Sequence, residues 1–293
     1  MSNITASIVS ELRSITGAGM MDCKNALEEA QGDIEKAGEI LRKKGIIKAS
    51  KRAGKIASEG LVNVSVQGNT AVVVEINSET DFVAKNDDFK KVIEDLSSHV
   101  LQNKPTSVEQ ALGQNMVGVD TVQDYLTEAT AKIGEKITLR RLQVFEKGEI
   151  DAFGAYIHMG GKIGVLVVLE GSQDQELAKD IAMHTAAANP RYLNSDQIPA
   201  EVIDKEKEVY TEQLRQQGKP ENIIENILKG KLNKFYEEVC LVDQMFIKDD
   251  KKKVSELLPE GSSIKTFARY ELGEGLEKKS CDFVAEVQEQ MGE

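Results

Sequence analysis

Side chains able to do chemistry are few: three histidines (His99, His158, His184), three cysteines, acidic pairs such as Asp87-Asp88 and Asp249-Asp250, and the turn Met159-Gly160-Gly161-Lys162. A histidine set against a carboxylate would suit general acid–base catalysis, and a cluster of His, Cys, Asp or Glu would suit a metal ion. The spacing supports neither. The histidines fall in three different elements, HExxH and GxSxG are absent, and acidic pairs are commonplace among 49 Asp and Glu. There is no GxxxxGK[ST]; MGGKIG sits at a hairpin turn without the following helix that a phosphate cradle needs. The pairs Gly17/Gly19 and Gly273/Gly275 lack the third glycine and the preceding parallel strand of a dinucleotide fingerprint. Cys23, Cys240 and Cys281 form no CxxC pair, which disfavours a disulfide framework or a thiolate zinc site and fits a reducing compartment. Catalysis is therefore not indicated, no metal or cofactor is expected, and a binding role is. His99 and His184, on helices, read as structural or simply exposed, whereas His158 stands beside a turn where a side chain can be presented outward.

A different kind of chemistry is suggested by SETDFVAKNDDF, residues 78–89, directly after the apolar run AVVVEI. A strand-to-helix junction lies at the surface, where a large aromatic gains little. In one reading Phe82 folds back as a hydrophobic staple on the following helix and Asp81 is a solvated turn residue. In the other, something outside the chain buries the ring. Lys85 and Asn86, which interrupt the apolar stripe between Phe82 and Phe89, weigh against the first.

These residues must be held by a fold, and 293 residues imply two or more domains. The net charge of −12 repels a phosphate backbone over most of the surface. Residues 42–55, RKKGIIKASKRAGK, are the exception with seven Lys or Arg. With no aromatics interleaved, they read as a solvated helix C-terminus and a linker rather than a nucleic-acid site. Apolar runs such as AVVV and VLVVL are too short to span a bilayer, and the first residues lack a basic segment followed by a long apolar one. A soluble, cytoplasmic protein without nucleic-acid or membrane partners is expected.

The first 45 residues predict three short helices. One carries Ile4, Ile8, Leu12 and Ile15; one runs from Met20 to Ala30 with Met21, Ala26, Leu27 and Ala30; the third is capped by Asp33, carries Ile34, Ala37, Ile40 and Leu41, and ends at Gly45. Strands follow at residues 61–66 and 71–76 around Gln67-Gly68-Asn69, then a helix from about Asp87 to Gln102, a polar region, and an alternating strand in KITLRRLQVFE, imperfect at Arg140-Arg141. The arrangement recurs: AFGAYIH, the turn at 159–162, IGVLVVLE, a helix from Glu176 to Ala188, and much later the strand IKTFARYELGEG. The expectation is an α+β fold, a small helical domain followed by two related units with antiparallel sheets. Between Pro199 and Val239 two helical runs joined by Gly218-Lys219-Pro220 predict a hairpin. Its stripe of Ile223, Ile224, Ile227, Leu228, Leu232, Phe235 and Tyr236 is too apolar to stand alone and must pack on its mate helix or on another chain; self-association as a homodimer is the favoured expectation.

ITASIVSELRSITGAGMMDCKNALEEAQGDIEKA, TDFVAKN, AKIGEKITLRR, YIHMGGKIGVLV and GEGLEKKSCDFVAEV together resemble the elongation factor Ts family, bacterial guanine nucleotide exchange factors for elongation factor Tu. The resemblance implies a UBA-like three-helix domain with the basic linker (1–54), a core of two subdomains (55–147; 148–199 with 241–272), a helical-hairpin dimerisation insert (200–240) and a C-terminal module (273–293) returning to the partner. It implies that Thr80-Asp81-Phe82-Val83 is partner-binding, with Asp81 and Phe82 inserted near the partner's magnesium and phosphate site, and that Gly134 and His158 touch the same partner. The rival function is an acidic adaptor or holdase that binds partner helices without nucleotide exchange.

Overall fold

The computed structural model describes residues 4–276, so the expected C-terminal module beyond Leu276, with Cys281, lies outside the described residues. The chain forms two compact units. One holds Val74–Leu142 with the described residues up to Asn63 and from Glu271; the other holds Val64–Val73 and Gln143–Tyr270.

In the first unit, α1 (Ala6–Thr16) begins where the Thr5 hydroxyl accepts from the Ile8 N–H and ends at Gly17, whose φ of 67° suits a left-handed cap. α2 is Met20–Glu29, and α3 (Ile34–Arg52) opens with the Asp33 carboxylate accepting from the Lys36 N–H at 3.1 Å. Their small core is Val9, Leu12, Cys23, Ala26, Leu27, Ala30 and Ala37. Ile15 and Met21, expected inward, are exposed. In α1 Leu12 is buried as expected and Ile4 and Ile8 pack half-buried beside it, but Val9 takes the inward place that Ile15 does not, and in α2 Cys23 joins Ala26 and Leu27 on the inward face. Gly45 does not end α3 either, and the supposed basic linker is helical through Arg52.

The first sheet has the order β1 (Glu59–Gln67), β2 (Thr70–Ser78), β3 (Thr138–Glu146), with β2 central and buried along nearly its whole length. Between β2 and β3 come α4 (Asp81–Ala84), α5 (Asp87–Asn103), α6 (Val108–Leu112) and α7 (Val122–Ile133). α5 matches its expected range and buries Phe89, Val92, Ile93, Leu96 and Val100. The "polar region" is a correction, for it contains α6 and α7, capped by Ser107 and Thr121. α7 buries Val122, Leu126, Ala129 and Thr130, a face too modest to announce itself by periodicity. Against α7 the glycine in α3 finds its reason: a Cβ at Gly45 would stand 3.1 Å from the Ala131 Cβ, so glycine serves close packing.

The second sheet repeats the first. β4 (Ala152–His158) pairs antiparallel with β5 (Ile163–Glu170), register Ala152↔Leu169 to His158↔Ile163. α8 (Gln175–Ala188) packs on both, so closely that a Cβ on Gly154 would fall 1.9 Å from the Ala178 carbonyl oxygen. Next come α9 (Ala200–Gln216), α10 (Glu221–Val239), the short hairpin β6 (Met245–Phe246) and β7 (Asp249–Lys253), and finally β8 (Ser263–Glu271) beside β5. Order β4-β5-β8 thus mirrors β1-β2-β3. The core here includes Val165, Val167, Ile181, Leu241 and Ile264. His184 is wholly buried in the same unit. Its Nδ1 accepts from the Ile247 N–H at 3.3 Å, so Nε2 carries the proton and donates to Gln244 Oε1 at 3.0 Å. Burial pushes its pKa below the ordinary histidine value, which suits a neutral core side chain. His99 is likewise buried, beside Gln114 and Asn103.

In the hairpin, α10 lays Ile224 and Phe235 inward, α9 contributes Leu214, and Phe235 and Val239 cluster with Tyr192, Ile198, Val202 and Tyr210. No helix among the described residues is long and apolar enough to cross a membrane.

Candidate functional site

β2 stops at Ser78, and Glu79 and Thr80 lead into the four-residue α4. Within α4, Val83 and Ala84 turn inward while Phe82 stays 78% exposed. The staple reading is therefore overturned: among the described residues nothing covers the ring, and the Lys85 ammonium stands 5.7 Å from its centroid. Two apolar neighbours already occupy the inward face of so short a helix, and a 100° step carries Phe82 out. Asp81 stands in the first turn, half-exposed, 3.2 Å from Lys85 Nζ.

Two carboxylates fix this junction. Glu135 Oε2 accepts from the Thr80 N–H at 2.9 Å and its Oε1 accepts from the Thr80 hydroxyl at 2.7 Å. Reciprocally, Glu79 Oε1 accepts from the Lys136 N–H at 2.7 Å, while Arg52 Nη1 reaches Glu79 Oε1 and Oε2 at 3.1 and 2.9 Å. The Lys136 ammonium in turn donates to the carbonyls of Ala53 and Lys55, past the end of α3. Gly134 is the exposed left-handed cap of α7 (φ 86°), with open space where a side chain would stand. Thr80 to Val83 and Gly134 are thereby brought together in one unit. The reading of the sequence missed Glu79, Glu135, Arg52 and Lys136. Its one available signal was a carboxylate directly after a strand end and another directly after a helix-stopping glycine, but their partners lie 55 and 57 residues away.

The break in the alternation of β3 also has its explanation here. Arg140 Nη1 and Arg141 Nε reach Glu75 at 2.7 and 2.6 Å, and Glu75 is completely buried. Burial by itself would raise the Glu75 pKa, but the Gly273 N–H at 2.9 Å and the two guanidinium groups together hold it below the ordinary value. Arg141 also donates to the Glu271 carbonyl and to Glu274 Oε2, and Arg140 to the Glu274 carbonyl. A Cβ on Gly273 (φ 72°) would meet the Ser58 carbonyl oxygen at 2.6 Å, so glycine is required in this clamp.

His158 belongs to the other unit, at the end of β4. It is exposed, and the Tyr156 hydroxyl lies 2.9 Å from its Nδ1, a contact that limits the imidazole's freedom. Ile157 and Met159 beside it are exposed, and the turn runs through left-handed Met159, Gly160 and Gly161 (φ 49°, 64° and 99°).

The basic stretch is largely neutralised from within. Arg42 meets Asp120 and Glu128, Lys44 meets Glu29, Lys48 meets Asp22, and Arg52 meets Glu79. Four of the seven cations are so occupied. Among the described residues no group of three or more His, Cys, Asp or Glu could hold a metal ion, and Cys23 and Cys240 are buried thiols.

The α+β architecture agrees with one comparison. The model of the family described as Elongation factor TS matches residues 79–274, about two thirds of the chain, spanning Phe82, Gly134, His158 and the helical hairpin. The chain belongs to the elongation factor TS family, and with it to translation elongation as a partner of elongation factor Tu.

Proposed function

We propose that this chain is a guanine nucleotide exchange factor: it promotes release of GDP from elongation factor Tu by inserting Phe82 and Asp81 near the magnesium and phosphate site. The observation that carries this reading is Phe82 itself, 78% exposed on a junction braced by Glu79 and Glu135. A large aromatic held outward by a rigid support is arranged for burial by a partner. Asp81 adds a carboxylate next to the ring, able to compete for the cation and donors that hold the phosphates. Gly134 offers bare backbone beside them, where a side chain would keep the partner away. His158, restrained by Tyr156, supplies a contact from the second unit, and the three N-terminal helices a further one.

Exchange of this kind is a coupling free energy, so nucleotide weakens this protein's binding by the same factor as this protein weakens the nucleotide's. Reversing a population takes about 5.5 kcal/mol of differential affinity, whereas burying one phenylalanine contributes roughly 1.5 to 3. Phe82 therefore acts together with the other contacts, and no covalent step on this chain is needed. The setting is the cytoplasm, with no direct nucleic-acid contact, in keeping with the net charge of −12.

The deciding experiment is stopped-flow release of labelled GDP from elongation factor Tu. Acceleration that saturates with this protein is expected; an acidic adaptor or holdase would bind and leave the release rate unchanged. Self-association through residues 200–240 belongs to the same proposal. Because α9 already covers much of the stripe, Val209 and Ile223 are the large apolar side chains of the hairpin left exposed, and the dimer is expected to be weak. Light scattering over a concentration series should give a mass that rises toward twice the monomer and stops rising when 200–240 is deleted. A mass unaffected by the deletion would remove the hairpin from that role.

A further inference from the structure

We propose that Glu135 is a positioning residue for exchange, acting only through the direction in which it holds Phe82; the inference rests on the exchange reading above. Thr80 occupies the N-cap of α4, where a threonine ordinarily turns its hydroxyl back to accept from a backbone N–H of its own first turn. Here it makes no such cap bond. Its hydroxyl and its N–H are both given to the Glu135 carboxylate, at 2.7 and 2.9 Å. Local helix stability has been exchanged for a long-range tether with ionised-acceptor strength. Four residues of helix cannot orient themselves, since one turn is below the length at which a helix persists. Val83 and Ala84 anchor the inner face of α4, and the heading of Phe82 is then fixed by what holds Thr80 at its start: the Ser78 hydroxyl on the Thr80 carbonyl and, on its N–H and hydroxyl, a carboxylate carried on the loop following α7. Glu79 reinforces the same loop from the opposite direction through the Lys136 N–H. Removing Glu135 frees the Thr80 hydroxyl to cap α4 in the ordinary way, so the fold survives while the ring loses its heading.

The test is GDP release from elongation factor Tu by the full chain in a double-mutant cycle. Glu135→Ala is expected to lower the maximal exchange rate by on the order of tenfold with little change in thermal unfolding. Glu135→Gln, which retains an acceptor for the Thr80 N–H, recovers part of the rate. In a Phe82→Ala background, Glu135→Ala should cost nothing further, because the group it positions is gone. Losses that multiply in the double variant, or a Glu135→Ala protein as fast as wild type while Phe82→Ala is slow, overturn the positioning role. A Phe82→Ala protein that exchanges at the wild-type rate removes the role of the ring and this inference with it, whereas a wild-type chain that leaves GDP release unaccelerated overturns the exchange reading itself. Should Glu135→Ala fail to fold, Thr80→Val removes the hydroxyl arm alone and is expected to show the same dependence on Phe82; a Thr80→Val effect independent of Phe82 overturns the proposal equally.

Discussion

Phe82→Ala slows GDP release from elongation factor Tu by roughly tenfold to a hundredfold and leaves the stability of the chain where it was. The magnitude follows from the loss of about 1.5 to 3 kcal/mol of partner burial, at tenfold for each 1.4 kcal/mol. Unchanged stability follows from the ring's surroundings. Phe82 is exposed, Val83 and Ala84 make the inward contacts of α4, and the Lys85 ammonium near the ring is worth little in water. The two halves of the result are read separately, by stopped-flow nucleotide release and by thermal unfolding. A variant with normal exchange would end the proposed role of the ring. One that melts far below the wild type would show that the ring packs inside the chain.

Glu75→Gln should have the largest effect on stability, a loss of about 3 kcal/mol at neutral pH. The amide keeps the shape but leaves two guanidinium groups facing a neutral group in a site from which water is excluded on the Glu75 side. Arg140 and Arg141 retain some solvent access, and Arg141 keeps Glu274, which places the cost at the low end for a broken buried pair. The pH dependence has a definite sign. With the folded pKa held below the ordinary glutamate value of 4.5, the unfolded chain takes up the proton first as pH falls. The contribution of Glu75 is thus complete above about 4.5 and disappears as pH drops through the lowered folded value. Urea unfolding of both proteins across this range should show a wide gap at neutral pH that narrows in acid. Equal stability at pH 7 would mean that the clamp contributes nothing.

What the sequence discloses of this fold depends on how local the determining interactions are. Phe89, Val92, Ile93, Leu96 and Val100 recur at helical spacing and all are buried, so α5 could be drawn without coordinates. The hairpins at Gly68 and at Met159-Gly160-Gly161 were legible because a left-handed turn requires particular residues. Asp33 announced α3, but Gly45 misled: a glycine costs a helix about 1 kcal/mol, and the close approach to Ala131 that offsets this cost is a tertiary fact. α7 stayed hidden because Ala129 and Thr130 make a weak apolar stripe. At the candidate site, the exposed ring could be suspected from its place at a junction. The carboxylates that aim it could not be found, because Glu79 and Glu135 acquire meaning only when loops some 55 residues apart meet.

The uninterrupted course of α3 has a further consequence. Its 19 residues make a strut about 28 Å long, tied near its far end by Arg52 to Glu79. The N-terminal helices are therefore not carried on a slack tether. On the proposed function, a partner that grips both that helical cluster and the aromatic wedge has to match a distance this molecule has already fixed, which makes the spacing of the two grips a determinant of selectivity beside the chemistry of either.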